Sequence, residues 1–259
     1  MSGALALRHA IVTGGAGAIG FAIAKQLVEH GACVTLTGRT ATRLERAVTE
    51  LGGRKHARAQ VADVADEQAV NDAFESAAAA FGPAGILINC AGIAESAPFA
   101  KTDAALWERH IATNLTGPFY CCKAVVPGMR HAGFCRIVTV ASVAGLCGAP
   151  YIAAYCASKH GVIGLTRALA LELVSTGITV NAVCPGYVDT PMTDATIANI
   201  VDKTGMSAGD ARARLIETNP QGRLLRPDEV AGAVLGLCLP GSESVTGQSI
   251  VMSDGEVTE

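Results

Sequence analysis

The feature that most limits the fold is the passage from Ala10-Ile-Val-Thr13 through Gly14-Gly-Ala-Gly-Ala-Ile-Gly20 into an amphipathic segment reaching His30. The apolar, β-branched run reads as a short strand, the glycines as a tight turn and the amphipathic stretch as a helix. That order is what a pyrophosphate needs, because glycines let the backbone approach and the helix amino end meets the negative charge. A glycine loop alone is also the mark of many tight turns. Its place between strand and helix favours nucleotide binding, with Gly14, Gly17, Ile19 and Gly20 at the phosphates.

The alternation continues along the chain. Ala32–Thr37 reads as a second strand, Thr42–Leu51 as a helix, a third strand ends near Ala62-Asp63-Val64, and Glu67–Phe81 is helical. Ile86–Ile88 is a fourth strand, Asp103–Arg130 a long helical region bent at Pro118 and Pro127, and Arg136–Ala141 a buried fifth strand. Tyr155–Leu173 reads as a long helix, Ile178–Val183 as the sixth strand, Arg226–Leu239 as a helix and Gln248–Met252 as the last strand. The pattern predicts one α/β domain over 1–259, a Rossmann-like doubly wound parallel sheet of about seven strands with helices on both faces. The more polar stretch within 190–220 reads as a substrate lid.

Half of the residues are apolar, enough for one large core. A net charge of −3 gives no basic footprint for nucleic acid and no polybasic patch for a membrane. The low-charge stretch Ser76–Ala94 is interrupted by Gly82-Pro83 and Asn89, so it reads as helix, turn and strand rather than a membrane span. The opening residues lack the order of a signal peptide. The nine cysteines are scattered, with no CxxC pair and no zinc-like spacing to histidine, so buried thiols in a reducing compartment are expected and no metal. The cytoplasm is the corresponding location.

The chemistry concentrates between Ser142 and Lys159. Tyr155 and Lys159 are four apart and share a helical face, while Ser142 sits where the fifth strand ends. A phenol has an ordinary pKa of about 10. A nearby ammonium and a helix amino end are expected to bring it toward the range useful for proton transfer. Ser142 can donate to a carbonyl oxygen that Tyr155 protonates. The set suits reduction of a ketone or oxidation of an alcohol and requires a hydride carrier. A Tyr–Lys pair at this spacing is by itself more often solvated surface or packing.

Other residues fit that carrier. The second strand ends at Gly38-Arg39, with no carboxylate for ribose hydroxyls and a guanidinium suited to a 2′-phosphate, so NADP(H) is preferred over NAD(H); otherwise Arg39 caps a surface turn. Asp63, beside Val64, either hydrogen-bonds the adenine or caps the next helix. Asn89-Cys90-Ala91-Gly92 offers small residues against which a cofactor can lie. Asn114 is either a neutral surface residue or, beside a bend, a contributor to a water chain. Pro185-Gly186-Tyr187-Val188-Asp189-Thr190 turns back at the same sheet edge, beside the nicotinamide.

Together these residues resemble the short-chain dehydrogenase/reductase family over essentially the whole chain. Its T-G-x-x-x-G-x-G loop matches Thr13–Gly20, with Ala18 in place of a glycine, and its N-N-A-G segment matches Asn89–Gly92, with Cys90 in place of the second Asn. The resemblance implies catalytic Asn114, Ser142, Tyr155 and Lys159, with Lys159 also holding the nicotinamide ribose and Asn114 positioning a proton-relaying water. It places Pro185, Gly186, Val188 and Thr190 at the nicotinamide, Tyr187 at the substrate, and a homotetramer on helices near 105–130 and 152–172. The 172–192 stretch resembles 3-oxoacyl and polyketide ketoreductases, and the lid resembles 3-hydroxybutyrate dehydrogenases. Those dehydrogenases grip a free carboxylate where this chain has Ala94, Ala144 and Ile152, so a neutral or thioester-linked ketone is expected. The alternatives are another small secondary alcohol, a sterol or a 3-hydroxy acid as substrate, and, outside catalysis, a cofactor-sensing scaffold. An epimerase would need a larger carboxy-terminal domain.

Overall fold

The computed structural model describes residues 3–257 apart from 131, 218 and 256. Among them, β1 (His9–Thr13), β2 (Cys33–Gly38), β3 (Ala57–Val61), β4 (Ile86–Asn89), β5 (Cys135–Val140), β6 (Ile178–Pro185) and β7 (Ser249–Met252) form a single sheet. Its order is β3-β2-β1-β4-β5-β6-β7, and every neighbouring pair is parallel. The helices are α1 (Ala18–Glu29), α2 (Ala41–Glu50), α3 (Glu67–Phe81), α4 (Ala104–Ile111), α5 (Gly117–Met129), α6 (Ala153–Leu173), α7 (Pro191–Thr204), α8 (Ala208–Ile216) and α9 (Pro227–Cys238). The doubly wound parallel architecture is the one the sequence predicts.

Register explains why the strands read as continuous apolar runs. Ile11, Leu87, Ile137 and Val180 stand side by side across β1, β4, β5 and β6 and face the layer of α3, α5 and α6. One rung further on, Val12, Ile88 and Val138 face the opposite layer of α1, α2 and α9. Covered on both sides, the inner strands have no polar face to alternate with. The strand order reverses between β1 and β4, so the loops leaving these two strands separate and open a crevice at the carboxyl edge.

Several boundaries differ from the sequence reading. β3 ends at Val61, short of Asp63, because the Asp63 carboxylate accepts from the Ala65 N–H at 3.0 Å and turns the chain. It is Asp66 that caps α3, accepting from the N–H groups of Gln68 and Ala69. β6 continues to Pro185, which pairs with Met252. The long helical region is interrupted by a π turn over Ala112–Thr116. Pro118, at the start of α5, has no N–H to return to the Asn114 carbonyl, so the ordinary α-helical bond there is missing. The polar stretch after β6 folds as two helices sharing a small core of Ile197, Ala211 and Leu215. All nine cysteines are thiols, but Cys147 is exposed, because it lies in the loop beyond the short 3-10 turn at Val143–Gly145. Among the described residues no helix is long and apolar enough to cross a membrane.

His9 is a polar residue inside the sheet. Its Nδ1 donates to the Gly82 carbonyl at 2.7 Å, and its Nε2 meets the Thr35 hydroxyl at 2.9 Å. Burial lowers its pKa, and the bond to Gly82 opposes that shift. The unfolded chain therefore takes up this proton first. Stability that is intact above the ordinary histidine value of about 6.5 is lost as pH falls through it. Thermal melts between about pH 7.5 and 5.5 should show a falling Tm in the parent and a shallower fall in His9→Gln.

Candidate active site

At the crevice the loops after β1 and β4 touch. Gly14 has a φ of +64°, and a Cβ there would lie 2.9 Å from Ala91 Cα and N. Gly20, in the first turn of α1, faces the Gly14 carbonyl, where a Cβ would come within 2.3 Å of the oxygen. Thr13 joins the two strand ends, its hydroxyl accepting from the Cys90 and Ala91 N–H groups at 3.0 and 3.1 Å. Gly17 is the N-cap of α1 and supplies no side-chain acceptor, so the first-turn N–H groups, Ile19 among them, face the loop without a capping oxygen. A cleft beside this turn is lined by Gly17, Phe21, Arg43, Arg46 and Glu50, among others. An uncapped helix amino end, a cradle that a Cβ would fill and nearby guanidinium groups fit a dinucleotide phosphate chain.

The remaining cofactor candidates divide. Arg39 is exposed at the end of β2, next to Gly38. Gly92 borders Asn114 and Lys159, and a Cβ on it would stand 3.3 Å from Asn114 Oδ1 and 3.8 Å from Lys159 Nζ. The Asn89 side chain is buried and turned away toward Thr139 and Cys122, with its Oδ1 unpartnered. Val64 packs its side chain into the core, within reach of Gly117. Val188 likewise enters the core, where it bridges to Leu225. For these two, only the main chain remains to face a ligand.

Ser142, Tyr155 and Lys159 converge beyond the end of β5. The Ser142 hydroxyl accepts from the Ala144 N–H at 3.2 Å and is hydrogen-bonded to the Tyr155 phenol. Lys159 is 6% exposed, donates to the Val140 carbonyl at 2.9 Å and has its Nζ 5.7 Å from the Tyr155 ring centroid. Tyr155 is the third residue of α6, within its first turn. Asn114, 1% exposed, is no surface residue. Its amide exchanges two bonds with the Ile93 main chain, both at 2.9 Å, and donates to Ser158 Oγ at 3.1 Å. From β6, the Pro185 carbonyl accepts from the Ser142 hydroxyl at 3.4 Å, and Tyr187 and Cys184 are close enough to influence the Tyr155 phenol. Gly186 N–H donates to Met252, and the Thr190 hydroxyl caps α7 by accepting from the Thr193 N–H.

Burial overturns the expected electrostatics of the phenol. Desolvation raises the Tyr155 pKa above its ordinary value, while the Ser142 hydrogen bond works in the opposite direction. Lys159 bears the complementary shift: burial lowers it to about 8, against raising effects from Cys90 and Cys184. The group that titrates near neutrality is therefore the amine.

A family model described as short chain dehydrogenase matches residues 8–200. The chain belongs to that family. A Streptomyces coelicolor protein named for ketoacyl reduction is 38% identical over 249 residues, 95% of each chain. A D-beta-hydroxybutyrate dehydrogenase of Cupriavidus necator is 33% identical over 254 residues, 97% of this chain and 98% of its own. A crystal structure of a point variant of actinorhodin polyketide ketoreductase with NADPH superimposes with a TM-score of 0.93 at 37% identity, covering 99% of both chains. As a short-chain dehydrogenase, the protein is an oxidoreductase acting on CH–OH and keto groups of a small molecule.

Two residues at this short-chain dehydrogenase site escape a reading by motif. Arg43 reaches the glycine loop, its Nη2 donating to the Ala16 carbonyl at 3.3 Å. His110 is fully buried and edge-on to Tyr155, with ring centroids 6.4 Å apart. A signal for it exists: His110 and Asn114 are polar residues four apart and so share a helix face. Since Lys159 is charged below about 8 and neutral above, ketone reduction should slow as pH rises through that value. Lys159→Arg, which keeps its charge, should carry the fall to higher pH in steady-state pH–rate profiles.

Proposed function

We propose that this enzyme interconverts a ketone and a secondary alcohol using NADP(H) in preference to NAD(H), and that its substrate is a 3-oxoacyl or 3-hydroxyacyl thioester. The observation that carries this reading is the buried hydroxyl–phenol–ammonium cluster of Ser142, Tyr155 and Lys159 beside the β1/β4 crevice. When bound, the dinucleotide supplies hydride to the carbonyl carbon. The side chains manage the oxygen. Tyr155, kept protonated by burial, hands its proton to the oxygen as it becomes an alcohol, and Ser142 donates a hydrogen bond to the same atom. The Lys159 ammonium limits the cost of the transient phenolate and passes a proton on. The amide of Asn114 is already engaged by Ile93 and Ser158. Its contribution to a proton-relaying water therefore runs through the main-chain carbonyl that Pro118 leaves without its α-helical donor.

Gly14, Gly17, Ile19 and Gly20 hold the phosphates in this scheme, while Asp63, Asn89, Ala91 and Gly92 line the adenosine and ribose path. Lys159 also bonds the nicotinamide ribose. Pro185, Gly186, Val188 and Thr190 meet the nicotinamide, and Tyr187 borders the substrate. Preference for the 2′-phosphate follows from Gly38, which offers no carboxylate, and from Arg39 and Arg43 beside the glycine loop. Arg39→Asp should weaken NADPH binding at least about tenfold while leaving NADH binding nearly unchanged, as read by fluorescence titration. Tighter binding of NADH than NADPH by the parent protein would overturn the preference.

The thioester substrate rests on Ala94, Ala144 and Ile152, none of which can neutralise a free carboxylate, and on Arg109, whose guanidinium is already paired with Glu95 at 3.0 Å. A free 3-hydroxy acid is the second reading, favoured by the hydroxybutyrate dehydrogenase relative. NADPH oxidation with acetoacetyl-CoA, set against NAD+ reduction with free 3-hydroxybutyrate, separates the two. Tyr155→Phe should lower kcat on the preferred substrate by about a thousandfold; unchanged turnover would eliminate the mechanism. The same reading makes 190–220, with α7 and α8 inside it, a lid over the substrate. Exposed Phe119 on α5 and Leu171 on α6 support a homotetramer, and nine reduced cysteines support a cytoplasmic home.

A further inference from the structure

The geometry points to His110 as a positioning residue that sets the 93–97 segment and the Tyr155 ring relative to one another. The inference rests on the proposed ketone–alcohol chemistry and deepens it. His110 Nδ1 lies 2.8 Å from the Leu106 carbonyl, one turn back on α4. A carbonyl only accepts, so this nitrogen carries the hydrogen and Nε2 is bare. Nε2 in turn accepts from the Glu95 N–H at 3.0 Å. The imidazole is therefore held in one orientation by two main-chain partners, with its ring at 84° to that of Tyr155.

The segment His110 grips is held from four directions. Asn114, one turn further along the same face, pairs with both main-chain groups of Ile93. The Glu95 carboxylate receives the Arg109 guanidinium at 3.0 and 3.4 Å. Ser96 Oγ accepts from Asn199 of α7 at 2.7 Å, and the Ala97 N–H donates to the Tyr151 carbonyl at 2.8 Å. Tyr151 has a φ of +68° and lies just before α6, the helix that carries Tyr155. Residues 93–97 thus connect the π turn, the lid helix and the approach to α6, and they begin beside Gly92 at the Lys159 amine. Among these ties, His110 alone both bonds the segment and touches the Tyr155 ring. Its loss should displace residues 93–97 and loosen the ring, leaving in place the glycine loop, whose strand end Thr13 ties to Cys90 and Ala91.

His110→Gln places an amide oxygen where Nε2 stood and keeps an acceptor for the Glu95 N–H; His110→Leu fills the space without one. In the full-length protein His110→Leu should raise KM for acetoacetyl-CoA about tenfold and lower kcat less, with NADPH affinity within about twofold of the parent. His110→Gln should recover most of the loss. Independently of turnover, 15N NMR of the parent should show His110 with a protonated Nδ1 and a bare Nε2. Hydrogen exchange at the Glu95 amide should be accelerated in His110→Leu and restored in His110→Gln. Unchanged Glu95 exchange in His110→Leu, or a His110→Gln as impaired as His110→Leu, would overturn the inference. A parent protein inert toward every ketone and thioester would sink the functional reading, while the tautomer and exchange measurements would still decide the role of His110.

Discussion

Parallel pairing across the whole sheet is the constraint on which the site depends. Because every strand runs the same way, the carboxyl ends of β1, β4, β5 and β6 reach one edge, and the reversal between β1 and β4 keeps that edge open. The glycine turn after β1, the small residues after β4, Ser142 after β5 and Pro185-Gly186 at the end of β6 are four strand exits placed side by side. Covering both faces with helices is what permits such a sheet, and it is why Ile11, Leu87, Ile137 and Val180 can form one apolar rung while their neighbours form another on the reverse.

Within that frame the ionisation of Tyr155 and Lys159 is governed by burial more than by charge. A lysine with 6% exposure loses hydration, and its amine falls toward neutrality; the phenol beside it resists ionisation for the same reason. Simple proximity arguments treat the ammonium as a full charge acting on the tyrosine. They omit the desolvation that both groups share, and the Val140 carbonyl to which the ammonium is bonded. Nearby thiols follow the same rule: burial pushes Cys90 up to about 12 and leaves it protonated.

The irregular π turn has an equally local cause. Pro118 cannot donate, the helix widens by a residue over Ala112–Thr116, and Asn114 is placed inside the protein where its amide grips Ile93. The same helix delivers His110 to Glu95 one turn earlier. Residues 93–97 are consequently held by side chains from this one helical stretch.

The sequence by itself determined the alternation of strands and helices, the parallel sheet, the glycine turn and the Ser142, Tyr155 and Lys159 set, because periodicity, turn chemistry and i,i+4 spacing are local properties. It placed Asn114 near a bend but left its surroundings open, and it gave Asp63 two roles where Asp66 does the capping. Tertiary structure alone decided which side chains from β4, α4 and α6 meet and how deeply Lys159 is buried. It also decided that Val64 and Val188 turn into the core, and that His110 stands against Tyr155. The physical reason is range: desolvation and contact between segments tens of residues apart exist only once the sheet has assembled.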